Sequence, residues 1–105
     1  MPWTVRAATP ADAPLVIEFN RRLAEESEGK TLDPAVLGPG VRAALADPRK
    51  ALYFLAEAEG SVAGQMMVTY EWSDWRNGWL WWIQSVYVRP EARRRGVFRA
   101  LFEHV

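Results

Sequence analysis

Residues 86–99, "VYVRPEARRRGVFR", set a strand-like triplet, a proline, three consecutive arginines and a glycine ahead of a helical pattern. A strand that turns directly into a helix aims the unpaired first N–H groups of that helix at one spot, where the helix dipole adds partial positive charge. Gly96 would let a ligand approach the backbone, and Arg93, Arg94, Arg95 and Arg99 surround the spot with donors suited to phosphate oxygens. An arginine run is also an ordinary solvated helix start. The position speaks for an anion, because cations at a helix N-terminus oppose the dipole unless a negative group sits between them and the amides.

The rest of the chain makes this spot stand out. At 105 residues it has room for one domain, 1–105, with one core. Basic and acidic residues balance at 13 each, so no global field draws the protein to nucleic acid or membrane. Between Arg89 and Arg99, however, five arginines (89, 93, 94, 95 and 99) face only Glu91, a local net of +4 that leaves −4 elsewhere. The absence of cysteine excludes disulfides, thiolate metal sites and a cysteine nucleophile, and the single His104 argues against a histidine metal site, so no metal is expected. No leader pattern opens the chain and no apolar run reaches spanning length, which leads to the expectation of a soluble, cytoplasmic protein with no membrane partner.

The elements that must position the arginines follow from pattern. Residues 3–8 read as a strand by alternation of Trp3, Val5 and Ala7 with polar neighbours. A helix starts at the Thr9 cap with Pro10 and Asp12 in its first turn, and ends near Glu28 and Gly29. Residues 29–40, with three glycines and two prolines, read as a loop holding at most one helical turn after Asp33, followed by a second helix to about Asp47. Strands are expected at 51–58 and 61–72 around a Glu59–Gly60 turn, then at 79–88 after the Asn77–Gly78 turn signal, with a final helix from Gly96. The order is β, α, α, β, β, β, α.

"VYVRPEARRRGVF" resembles the acetyl-coenzyme A segment of the GCN5-related N-acetyltransferases, and the element order is similar to that family's over essentially the whole chain. The resemblance implies an α/β (α+β) fold with a mixed, mostly antiparallel sheet flanked by helices. It places Val86, Tyr87 and Val88 on the strand beside the pantetheine arm. Arg93 falls on the Arg/Gln position of the motif, Gly96 on its glycine, and Arg94, Arg95, Gly96, Val97, Phe98 and Arg99 on the loop whose amides hold the pyrophosphate. Phe98 departs from the family's Gly or Ala, so its ring either turns into the core or alters the loop. The chain also stops at Val105, before the further strands and helix usual in the family, so it resembles the family's N-terminal portion and is expected to show little activity by itself.

The implied reaction moves acetyl from acetyl-CoA to an amine of a small molecule or peptide, and needs a base, amide donors for the developing oxyanion and an acid for the thiolate. No carboxylate lies on the fourth strand. Gln84 and Ser85 could hold a water there, and Glu71 is a further candidate that reads equally well as a solvated turn acid. Five of the six tryptophans fall within residues 72–82; Trp79 and Trp81 share one face of "WLWWI" and Leu80 and Trp82 the other, more than one core face requires. The uncharged strand 79–88 is a candidate edge for a homodimer. An alternative reading is a non-enzymatic module that uses Arg93–Arg95 for nucleic acid or another anionic partner. One basic patch supplies few of the phosphate contacts that useful nucleic-acid affinity takes.

Overall fold

The structure, a computed structural model, describes residues 3–105; Met1 and Pro2 of the expected 1–105 domain lie outside the described residues. The elements are β1 (Thr4–Ala7), α1 (Ala13–Glu28), α2 (Pro34–Ala46), β2 (Leu52–Ala58), β3 (Ser61–Ser73), β4 (Gly78–Val88) and α3 (Val97–His104). The strands pair in the order β1-β2-β3-β4, antiparallel throughout, so the expected mixed α/β class is realised as an antiparallel meander with helices on both faces.

Turn chemistry sets the hairpins. Glu59 and Gly60 both adopt positive φ (55° and 78°), the twist that a two-residue hairpin needs, and Asn77 does the same at 50° before β4 starts on Gly78. At the helix entry the Thr9 N–H donates to Asp12 Oδ2 at 2.7 Å, and a short 3-10 turn, Pro10–Asp12, precedes α1.

The expected loop over 29–40 needs correction, because α2 already begins at Pro34. The Asp33 carboxylate accepts from the Ala35 N–H at 2.9 Å, and Pro34 at the first position is preset for a helix. This start outweighs the breaking tendency of Pro39, whose missing N–H removes one bond, while Gly38 is buried on the packed side.

Strand alternation divides the core. Tyr53, Leu55 and Met67 face α1 and α2 and pack with Ala13, Val16 and Val41. Phe54, Ala56, Met66 and Val68 face α3 and pack with Val97 and Leu101. The sheet is thus covered on both faces near its β1–β3 centre, and the outer half of the β3–β4 hairpin reaches beyond the helices. Trp72, Trp79, Trp81, Trp82 and Ile83 there are all exposed, and Trp75 at the tip is 95% exposed. Core packing therefore accounts for neither aromatic face of "WLWWI".

Candidate coenzyme site at the end of β4

The last residues of β4 bring the expected segment into place. The Arg89 N–H donates to Ala63 O at 2.8 Å, its Nε donates to Val62 O at 2.7 Å, and its guanidinium lies 5.0 Å from the centre of the Phe19 ring, so Arg89 ties the strand exit to β3 and α1. Pro90–Ala92 form one 3-10 turn. Arg94 and Gly96 then both take left-handed backbone, φ 66° and 81°. Glycine adopts that region freely, and Gly96 faces open space where a Cβ would stand. Ala100 is the first residue of α3 to donate back along the helix, to Gly96 O at 3.0 Å, which leaves the amides of Val97, Phe98 and Arg99 ahead of the ladder.

The arginines expected around these amides divide into three kinds. Arg93 is clamped: its Nη2 bonds to Glu26 on α1, its Nε donates to Val88 O at 3.0 Å, and its guanidinium lies over the Tyr87 ring. That pairing, chiefly the hydrogen bond from Arg93, holds the Glu26 carboxyl below the usual glutamate range. Arg99 pairs with Glu103 one turn on, at 2.8 Å. Among the described residues, Arg94 and Arg95 form no ion pair and are exposed. Two free cations, three unpaired helix amides and a glycine without Cβ make a site that fits a diphosphate. A small groove of about 180 Å³ lies there, bordered by Val88, Arg94, Gly96 and Val97. Phe98 does not turn into the core, as one of the two expectations had it: it is exposed and stacks on Phe102, with ring centres 5.9 Å apart.

Val86, Tyr87 and Val88 border a second groove, about 390 Å³, against Leu23, Glu26 and Ser27 of α1. The Tyr87 ring itself is buried on Phe19 at 5.0 Å, with its hydroxyl donating to Glu26 at 3.1 Å. Further back along β4 the pairing slips: Met67 lies opposite Ser85 and Val68 opposite Ile83, so Gln84 is an extra residue, a β-bulge. Gln84 donates from Nε2 to Thr69 Oγ1 at 2.8 Å, whereas the Ser85 hydroxyl is buried without a partner among the described residues. Glu71 lies apart from both on the exposed hairpin, where it accepts from Trp82 Nε1 at 2.8 Å. A larger cavity, about 570 Å³ between Pro48, Arg49, Tyr70, Trp79 and Trp81, is on that hairpin rather than at the basic loop. His104 closes α3 with its ring edge-on to Phe54, a packing role.

Three residues support the site that sequence reasoning did not assign. Glu26 is the acid that fixes Arg93. Trp3 donates from Nε1 to Arg95 O at 2.8 Å and so pins the loop from β1's side. Gly64 lies where a Cβ would stand 2.8 Å from Tyr87 O and 2.9 Å from Val97 Cγ1, so only glycine lets the start of α3 settle on the sheet beside β4. Among the described residues no group of three or more His, Asp or Glu is placed to hold a metal ion, and no helix is long and apolar enough to cross a membrane.

The fold recurs in known proteins. A possible acetyltransferase from Clostridium difficile 630 is 48% identical over 99% of this chain and 68% of its own length, with a TM-score of 0.92. A predicted acetyltransferase from Clostridium acetobutylicum, solved with acetyl-CoA, shares the fold at 18% identity and a TM-score of 0.79, over 98% of this chain and 70% of its own. An aminoglycoside acetyltransferase from an uncultured soil sample, bound to sisomicin, shares the fold at 17% identity and a TM-score of 0.76, over 97% of this chain and 66% of its own. No curated protein matches. The model of the acetyltransferase (GNAT) family matches residues 16–105, the span from α1 through the bulged β4 and the arginine loop to the end of α3, and this chain belongs to that family.

Proposed function

We propose that the Arg93–Arg99 loop binds the diphosphate of acetyl-CoA, that β4 from Val88 back to the Gln84 bulge carries its pantetheine arm, and that acetyl passes there to an amine. The carrying observation is the convergence, at the end of β4, of the unpaired amides of Val97 to Arg99 with the unengaged side chains of Arg94 and Arg95. Val88 lies four steps along the strand from Gln84, roughly 13 Å at about 3.3 Å per residue, so an extended arm lying along the strand carries its end well away from the loop.

Acetyl-CoA supplies the activated acyl group. The chain's part is to hold and orient. Backbone N–H groups that the bulge turns out of the ladder are suited to the negative charge that develops on the acyl oxygen. Gln84 and Ser85 are suited to holding the water that passes the proton of the attacking amine on to solvent as the carbon–nitrogen bond forms, the carbon–sulfur bond breaks and coenzyme A takes up a proton to leave as its thiol, and Glu71 is the carboxylate on the hairpin side from which such an amine would arrive. The acceptor is an amine of a small molecule or peptide, and the reaction is placed in the cytoplasm.

The same reading includes self-association through the distal hairpin. The exposed parts of Trp72, Trp75, Trp79, Trp81 and Trp82 equal about three whole indoles, on the order of 500–750 Å². That approaches the roughly 800 Å² per partner of a standard interface, on an uncharged strand at the edge of the described sheet. A two-fold contact satisfies both copies at once.

The test of the coenzyme site is thermal and calorimetric. Coenzyme A should raise the melting temperature and a short oligonucleotide should not; the reverse result would favour the nucleic-acid reading. Gly96→Val forces a β-branched residue into left-handed backbone, at about 1–2 kcal/mol or more, and swings the loop amides away. Its coenzyme A affinity should fall on the order of 10-fold or more, and an unchanged affinity would sink the assignment.

A further inference from the structure

Three buried side-chain polar atoms lack a partner among the described residues: Gln65 Nε2, Gln65 Oε1 and Ser85 Oγ. All three belong to one spot. Gln65 pairs across the sheet with Tyr87 and Met67 with Ser85, so Gln65 and Ser85 are diagonal neighbours on β3 and β4. Side-chain alternation puts both on the α1 side of the sheet, immediately before and beneath the Gln84 bulge. Gln65 is 0% exposed, and its direct partner on β2 is the fully buried Leu55.

A buried amide with neither its donors nor its acceptor engaged costs more than a formed hydrogen bond returns, and a methionine of similar volume would fill the place without that cost. A glutamine kept there therefore has a partner outside the protein's own groups. The amide and the hydroxyl together offer donors and acceptors that match one water, which takes two to four such contacts when buried.

We propose that Gln65 and Ser85 hold an internal water against the inner side of the β4 bulge, and that Gln65 is thereby a positioning residue for the backbone at Gln84 and Ser85. The bulge is then fixed at two points on that face. Toward the hairpin the Gln84 amide donates to Thr69 Oγ1 at 2.8 Å, and toward the strand exit the water links β3 to β4 through Gln65 and Ser85. A bulge held by only one of these ties can slip back into regular pairing, which would turn Gln84 to the opposite face and move the amides next to it. The consequence for acyl binding rests on the coenzyme reading above; the water site itself does not.

The experiment uses the full chain in solution, free of coenzyme. Nuclear Overhauser spectra at the water frequency should show the Gln65 side-chain amide protons in contact with a long-lived water, and Gln65→Met should remove that signal. Hydrogen exchange at residues 84–86 should accelerate on the order of 10-fold in Gln65→Met, with amides of the β1–β2 pair unchanged. Ser85→Ala should give the same local effect, and keeps the test open if Gln65→Met does not fold. In the folded variants, affinity for acetyl-CoA should drop about threefold or more while that for adenosine 3′,5′-diphosphate, which reaches only the loop, stays constant. No water contact in wild type, or a Gln65→Met protein that melts higher with unchanged exchange at the bulge, would overturn the proposal. A wild type that shows the water but binds no coenzyme would instead count against the coenzyme site alone.

Discussion

The two halves of β4 are built on opposite rules. From Ser85 to Val88 the strand is clothed: Tyr87 is buried on Phe19, Arg89 ties the exit to β3, and Arg93 folds back onto Val88 O and Glu26. From Trp79 to Ile83 the strand is bare, with an indole on each face and no helix over either. The bulge at Gln84 is the border. One strand thus holds a packed floor at one end and an exposed aromatic surface at the other, and a change in one half should leave the other nearly untouched.

The sharpest way to break that separation is at the bare end. Replacing Trp79 and Trp81 together by Ser removes two central aromatic anchors, and the dimer dissociation constant should rise on the order of 100-fold or more. Light scattering on dilution reads it, and coenzyme A affinity should remain within about twofold of wild type. A wild-type mass that is monomeric at micromolar concentration, unchanged by the substitution, refutes the role given to the hairpin.

At the clothed end the largest effect is expected from Gly64→Ala. The added methyl meets a backbone carbonyl at 2.8 Å and Val97 at 2.9 Å, so α3 must lift. Overpacking of this kind costs about 1–3 kcal/mol. The expected result is a lowered melting temperature together with a roughly 10-fold weaker coenzyme complex, and an unaltered hairpin contact.

Arg93→Ala and Glu26→Ala sharpen the same boundary with a smaller change. If Arg93 acts by clamping the loop to α1, both variants should weaken coenzyme binding alike, by about 1 kcal/mol or fivefold in calorimetry. If Arg93 touches phosphate directly, only its own removal should matter, and Glu26→Ala should leave affinity the same or raise it.

The smallest effect lies away from both halves. Hydrogen bonding from Arg6 holds Asp12 down to about 2. Its folded value lies below the unfolded one near 4, so this stabilisation is complete above about pH 4 and is lost as pH falls toward 2. With the Arg6 side chain 37% exposed, solvent screening reduces the contribution to about 1 kcal/mol. Acid melting should show a step of that size, absent in Asp12→Asn, with both halves of β4 following it equally.

What could be read in the sequence was what neighbouring residues decide among themselves. The Asn77 and Gly60 turns, the alternation of "WLWWI" and the Arg-x-x-Gly approach to α3 are local chemistry, and each stands where expected. The α2 start was obscured because Gly38, Pro39 and Gly40 signal a break more loudly than the single Asp33 cap signals a helix. Partnerships across the chain left no mark: nothing near Arg93 in the sequence shows that Glu26, 67 residues away, pairs with it. Gly64 reads as a gap in a strand until α3 lies on it, and Gln65 as a polar residue in an apolar run until its face is known to be the buried one.

The Trp3 contact bears on when the protein becomes whole. β1, β2 and β3 are neighbours in the sheet as in the chain, so they can zip together in the order in which a ribosome releases them. The partner of Trp3, Arg95 O, is 92 positions later in the chain. The indole therefore meets Arg95 O only after 92 further residues have been made, with water taking its donor until then, and the arginine loop is tied to β1 only at that point. A nascent chain halted before Arg95 can pair β1, β2 and β3 but lacks the contact that ties the arginine loop to β1.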